Sequence, residues 1–189
     1  MSVDEKKFAL VLELNGSMLN NSNMAMTRLA DQLSINHIFS RSPCPHVVID
    51  AGFDVNNLDG FRVVLESGLG KALNFSITGR GLGVFVVNTP VVHIRWCIDE
   101  SFNEFRCHVS ACLETAQNEG IISGYSRDLN WVPKTTLAYI DTSYKNLSSI
   151  LEVIKDIQFG LDMDVVSISL YEYSDLEGET RLYTLPLNI

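Results

Sequence analysis

Two stretches decide the reading of this chain: Pro45-His46-Val47-Val48-Ile49-Asp50 and Trp131-Val132-Pro133-Lys134-Thr135-Thr136-Leu137-Ala138-Tyr139. Each is a β-prone run that begins directly after a proline. On a strand, alternate side chains share a face. His46, Val48 and Asp50 are therefore expected to point one way, and Val47 and Ile49 the other. Lys134, Thr136 and Ala138 are expected to share a face opposite Thr135 and Leu137. If the two strands sit in related lobes, these faces line one cleft.

The rest of the chain supplies a frame for two such lobes. Phe8 to Leu14 reads as a buried strand that ends at the turn dipeptide Asn15-Gly16. Met18 to Ser34 reads as a helix, with Met24, Met26, Leu29, Ala30 and Leu33 at roughly helical spacing. Arg41 to Pro45 is a loop, and the strand from His46 closes at Ala51-Gly52. A helix over Asp59 to Ala72, capped at Asp59, precedes a strand over Asn74 to Val87. Within that strand, Gly79-Arg80-Gly81-Leu82-Gly83 is expected to be a turn or bulge. A dinucleotide loop would be followed by a helix, whereas Val84-Phe85-Val86-Val87 is strand-like. Gly68-Leu69-Gly70-Lys71 lacks the upstream glycine and following hydroxyl of a phosphate loop. A strand over Val91 to Ile98 and a helix over Ser101 to Asn118 follow, the latter with the stripe Phe102, Phe105, Val109 and Leu113. The remainder reads as a strand (Lys134 to Ile140), a helix (Asn146 to Ile157) and a hairpin. The hairpin joins Val165–Tyr173 to Arg181–Leu187 around Asp175-Leu176-Glu177-Gly178. The order β-α-β-α-β-β-α-β-α-β-β has no linker. It predicts one α+β domain over residues 1–189, with largely antiparallel sheets and not a doubly wound parallel one.

Composition narrows the partners. The chain has 189 residues, 46% of them hydrophobic and 20% charged, which describes a soluble globular protein. Fourteen basic against 23 acidic residues leave a net charge of −9. Long nucleic acid is disfavoured, because that affinity comes from many Lys and Arg side chains displacing counterions. An anionic membrane surface is disfavoured for the same reason. The excess is uneven: from Ile150 onward there are eight acids and two bases, so an anion site is expected before residue 150. No targeting segment or membrane span is read, and a cytoplasmic location is expected. Cys44, Cys97, Cys107 and Cys112 show no metal spacing and are expected to be reduced thiols. His37, His93 and His108 are read as structural, and no metal or cofactor is implied.

The ordered set of elements resembles the 2H phosphoesterase superfamily, the 2′-5′ RNA ligase-like and cyclic phosphodiesterase proteins. Members carry two His-x-Thr/Ser motifs, often after proline, one on each lobe. Pro133-Lys134-Thr135-Thr136-Leu137-Ala138 resembles the second motif with Lys in place of His. Pro45-His46-Val47-Val48 resembles the first with Val in place of Thr. The strand–helix pair from Val91 to Ala116 and the closing hairpin match the later half of the family in order and character. The resemblance implies a bilobal 2H phosphoesterase-like fold, with two pseudo-symmetric lobes around a central cleft.

In that family the two histidines act as general base and general acid on a phosphodiester, and the two hydroxyls hold the phosphoryl oxygens. Histidine suits both roles because it titrates near neutrality. Here one histidine, His46, and one hydroxyl, Thr136, remain. Lys134, with an ordinary pKa of roughly 10.4, is a phosphate-pairing cation and a poor base. The expected function is binding of a small phosphorylated ligand, a nucleotide or a short or cyclic oligonucleotide, with catalysis weakened or lost. His46, Lys134 and Thr136 are the expected donors, and Arg41 a second phosphate contact. Tyr125, Trp131 and Tyr139 offer faces for stacking a base, although core or rim packing is the commoner fate of such aromatics. One alternative is a divergent phosphodiesterase acting on 2′,3′-cyclic or 2′-5′ diesters, with His46, Lys134 and Thr136 as its catalytic set. Another is a protein-interaction module that uses the acidic C-terminal region, away from the two motifs.

Overall fold

The computed structural model describes residues 6–70, 75–174 and 177–187. In chain order the elements are β1 (Lys7–Glu13), α1 (Gly16–Leu33), α2 (His37–Arg41), β2 (His46–Val55), α3 (Leu58–Leu69), β3 (Phe75–Phe85) and β4 (Val91–Trp96). They continue with α4 (Glu100–Asn118), β5 (Ile122–Ser123), β6 (Lys134–Ala138), α5 (Leu147–Ile154), β7 (Asp162–Val165), β8 (Ser167–Ser174) and β9 (Gly178–Pro186). The short elements α2, β5 and β7 carry too few periodic residues to be read from sequence.

Two sheets result, and every pairing in them is antiparallel. The order is β5-β2-β1-β8-β9 in one and β6-β4-β3-β7 in the other. The two lobes are therefore not the two halves of the sequence. The first sheet joins N- and C-terminal strands, and the second is built from the middle of the chain. Each sheet contributes one of the two proline-preceded strands, β2 and β6. Helices α1 and α5 pack together, with α1 against β6 and β7; α3 and α4 pack together, with α4 against β2, β3 and β5. One buried apolar cluster draws on both sheets, from Leu10, Val47 and Ile49 to Ile77, Val92 and Leu137. Phe53 sits edge-on to Phe61 and Tyr125 at its centre. Burial of a phenylalanine of this kind stabilises by about 1.5–3 kcal/mol.

Several local expectations change. The strand from His46 does not close at Ala51-Gly52 but runs on to Val55. Gly52 takes φ +89 there, and the register shifts between Phe8 and Ala9. Glycine absorbs the bulge because it tolerates positive φ. A second shift lies between Leu10 and Val11, which pair with Asp50 and Val48. The extra residue in β2 breaks the alternation, so Asp50 does not share the face of His46 and Val48. It turns inward instead, where Ser110 of α4 and Tyr125 donate to its Oδ2, both at 3.3 Å.

The bulge expected among the glycines of β3 is present, with Gly81 at φ +78 and a register shift between Gly79 and Leu82. The cap of α3 is Asn57, which accepts from the Gly60 N–H at 3.1 Å, and not Asp59. The expected end of that helix at Lys71 and Ala72, the start of the next strand at Asn74, and Asp175 and Leu176 of the last turn lie outside the described residues.

Candidate functional site

β2 and β6 approach each other where the two sheets meet, and a cavity of about 230 Å³ opens between them. His46, Val48, Lys134 and Thr136 line it, with Pro45, Ile38, Ser42, Tyr139 and Glu179. The two strands thus bring together three of the four residues expected to contact phosphate. They do so because alternation turns Val47 and Ile49, and Thr135 and Leu137, away from the cavity into the buried interior. Thr135 is held there as the acceptor for the Trp96 indole N–H, at 3.1 Å.

The orientation of His46 is set by its own loop. Its Nδ1–H donates to the Cys44 carbonyl at 2.9 Å, and the ring packs edge-on to Tyr171 with centroids 5.1 Å apart. In the neutral tautomer this leaves Nε2 as an acceptor aimed at the cleft. The Glu179 carboxylate is its neighbour there, with Oε1 3.8 Å away. Oε2 of Glu179 is buried and has no hydrogen-bond partner among the described residues. Glu179 thus falls inside the cleft, which corrects the expectation that the acidic C-terminal region lies away from the motifs. The other acids of that region are dispersed: Glu172 pairs with Lys6, and Asp156 with Arg28. Asp162 and Asp164 accept from Thr78 and Ser76.

Lys134 is half-buried, with Nζ 5.5 Å from the centroid of the Phe85 ring. Burial holds its pKa below the ordinary lysine value, and the Asp128 charge offsets only part of this. Behind it, β4 sets His93 opposite Thr136 and Arg95 opposite Lys134. His93 is 2% exposed, donates from Nδ1 to the Val91 carbonyl at 3.2 Å, and lies 4.2 Å from Phe85 between ring centroids. Burial lowers its pKa from 6.5, and the Lys134 and Arg95 cations lower it further. It is therefore neutral at pH 7.

A folded-state pKa below the unfolded one contributes stability that is present above pH 6.5 and lost as pH falls. The stability gap between the unaltered chain and His93→Gln should shrink from pH 7.5 to pH 5. Urea unfolding at both pH values checks this, and a gap that stays constant would reject a neutral buried His93.

The remaining candidates separate. Tyr139 lines the cavity at its rim. Arg41 lies in an adjoining pocket of about 460 Å³, where its Nη2 donates to the Ser174 carbonyl at 3.2 Å. Tyr125 does not reach the cleft: it is 7% exposed, with its hydroxyl bonded to Asp50 in the core. Trp131 does not line the cavity or the adjoining pocket. Its ring carries the Arg106 guanidinium at 4.3 Å and meets Phe102 edge-on, and its Nε1–H donates to the Val48 carbonyl at 2.9 Å. That bond fastens the segment leading into β6 to the middle of β2. Glu179, Arg95 and the position of His93 behind Thr136 carry no motif. Only strand pairing brings them to the site.

No protein-family model matches the sequence, and no curated protein does either. Solved structures match almost end to end. The crystal structure of TT0787 of Thermus thermophilus superposes with a TM-score of 0.66 at 18% identity, covering 96% of this chain and 97% of that one. E. coli LigT complexed with 3′-AMP gives 0.61 at 12% identity, covering 97% and 99%. E. coli LigT complexed with ATP gives 0.55 at 12% identity, again covering 97% and 99%. At these identities the likeness is one of fold. The chain has two curled antiparallel sheets facing each other across a cleft, as in the LigT-like 2H phosphoesterases.

Proposed function

We propose that this chain, built on the bilobal LigT-like 2H phosphoesterase fold, binds a small phosphorylated ligand between its sheets. The ligand is a nucleotide or a short or cyclic oligonucleotide, and cleavage is weakened relative to a site with two histidines. The observation that carries this reading is the meeting of His46, Lys134 and Thr136 at one cavity from separate sheets. A cation and a hydroxyl from one strand and an imidazole from the other suit a phosphoryl group. The complexes of E. coli LigT with 3′-AMP and ATP lend support from the same fold.

The cavity alone is small for a nucleotide, since ligand pockets run to roughly 300–1,000 Å³. The adjoining pocket shares Ile38, Ser42, Tyr139 and Glu179 with it, which gives room for the sugar and base. The Glu179 carboxylate, which lines both, is then an acceptor for a ribose hydroxyl. Glu179 also places a negative charge beside the phosphate, which favours a ligand that brings such a donor over a bare anion.

Calorimetry and thermal shift with 3′-AMP and 2′,3′-cyclic AMP test the reading. Saturable binding is expected, with stabilisation that grows with ligand concentration. Lys134→Ala should weaken it by roughly 10- to 100-fold, the worth of a charge-assisted hydrogen bond. Because Lys134 titrates below its ordinary value, affinity should fall as pH rises from 7.5 to 10. Lys134→Arg should flatten that fall, since arginine stays protonated. No stabilisation by either nucleotide at millimolar concentration would refute the proposal.

One observation favours a second reading, a divergent phosphodiesterase. Burial makes Lys134 a stronger acid than a free lysine, so it gives up a proton to a leaving oxygen more readily.

A further inference from the structure

β4 sets Arg95 directly opposite Lys134, and His93 directly opposite Thr136. Paired residues of antiparallel strands project from the same face, so all four side chains rise from the face that lines the cleft. Gly83 on β3 makes room for two of them. A Cβ there would fall 2.7 Å from His93 Nε2 and 2.7 Å from Arg95 Cγ. The Arg95 stem therefore lies across Gly83, and the residue is exposed.

Among the described residues no ion pair neutralises this corner, and the Asp128 charge offsets only part of the effect of burial on Lys134. The Arg95 side chain makes no hydrogen bond and no ion pair among the described residues, and Lys134 makes no ion pair among them. Glu13 is bound by Arg181, and Asp54 by Lys7. Like charges directly opposite each other on a strand pair repel. A chain with a net charge of −9 has acids to spare, yet among the described residues neither cation has an ion-pair partner.

We propose that Arg95 is a second anion subsite, continuous with Lys134, and that the ligand of the cleft carries two phosphoryl groups. This rests on the reading of the cleft as a phosphate site. Position along β6 and across to β4 sets the direction. Tyr139, one residue past β6, opens onto the larger pocket, Thr136 and Lys134 hold the centre, and Arg95 lies beside Lys134 on the neighbouring strand. A nucleoside occupies the Tyr139 end, its phosphate sits at the centre, and the next phosphoryl group reaches Arg95. The ligand class is a nucleotide bearing a second phosphate, either a nucleoside bisphosphate or a dinucleotide.

The test compares 3′-AMP with adenosine 3′,5′-bisphosphate and with the dinucleotide ApAp by calorimetry. The unaltered chain should bind at least one two-phosphate ligand roughly 10-fold more tightly than 3′-AMP. The ligand that gains identifies the class. Arg95→Ala should remove that gain and change 3′-AMP affinity less than about twofold, while Arg95→Lys should restore part of it. Without ligand, Arg95→Ala should melt no lower than the unaltered chain, since it relieves repulsion with Lys134. Equal affinity for all three ligands, or a gain that survives Arg95→Ala, overturns the subsite while the phosphate site stands. Failure to bind any of the three overturns both.

Discussion

Replacing Lys134 by His and Val48 by Thr together is expected to raise hydrolysis of 2′,3′-cyclic AMP by on the order of 10²–10⁴-fold. The scaffold for this gain is already in place. Both side chains line the cavity, one from each sheet, and His46 faces it with Nδ1–H held by the Cys44 carbonyl. A histidine at 134 would add a group able to exchange a proton near neutral pH, which a lysine does poorly. A threonine at 48 has nearly the shape of valine and puts a hydroxyl opposite that of Thr136. Its hydroxyl would bond the phosphoryl oxygen, the partner a half-buried polar group needs.

The measurement is kcat/KM for the unaltered chain, each single variant and the double variant. His46→Ala added to the double variant should return the rate to its starting level. Suppose instead that the unaltered chain already turns over, loses that activity with His46→Ala and gains nothing from the double change. Lys134 would then be the working acid, and the reading of weakened catalysis would be wrong.

The second large effect concerns the support beneath the site. Arg106→Met should destabilise the fold by about 3–5 kcal/mol, the cost of removing one partner from a buried ion pair. Arg106 is 7% exposed and Asp50 4%, and Arg106 Nη2 lies 4.0 Å from Asp50 Oδ1. The same Nη2 donates to the Asp128 carbonyl at 2.7 Å. Asp50 would be left with the neutral donors Ser110 and Tyr125. Burial already raises its pKa despite the arginine charge, so the lone carboxylate would resist ionisation further.

The loss should reach the cleft, because the network spans both of its strands. Asp50 belongs to β2, and Arg106 supports Trp131, which fastens the approach to β6 onto Val48. Chemical unfolding measures the stability term. Adding Asp50→Asn to Arg106→Met should recover a large part of it, since no buried charge remains. Equal losses in the single and double variants would show that packing on Trp131, and not the charge pair, carries the effect.

The legible parts of this protein were those in which neighbouring residues report on one another. Alternation in His46-Val47-Val48 and in Lys134-Thr135-Thr136 placed their faces correctly, because a strand's period of two is a local property. The stripe of α4 followed in the same way, whereas Met24, expected on the apolar stripe of α1, is exposed. The bulge of β3 was legible because glycine marks positions of positive φ. Asp50 was misplaced because one extra residue in β2 flips alternation, and a bulge depends on the partner strand. Trp131 and Tyr125 have the composition of a stacking site, yet their polar atoms are claimed by Val48 and Asp50, far away in sequence.

By itself, the sequence determined the longer elements, the α+β class and the faces on which His46 and the Lys134–Thr136 pair stand. The tertiary structure alone decided that the lobes interleave N- and C-terminal strands around the middle of the chain. It also decided that Glu179 enters the cleft, and that Arg95 stands unpaired beside Lys134. The physical reason is that strand partners and charge neighbours are set by sheet order, and sheet order comes from burying the common core, which no single segment encodes.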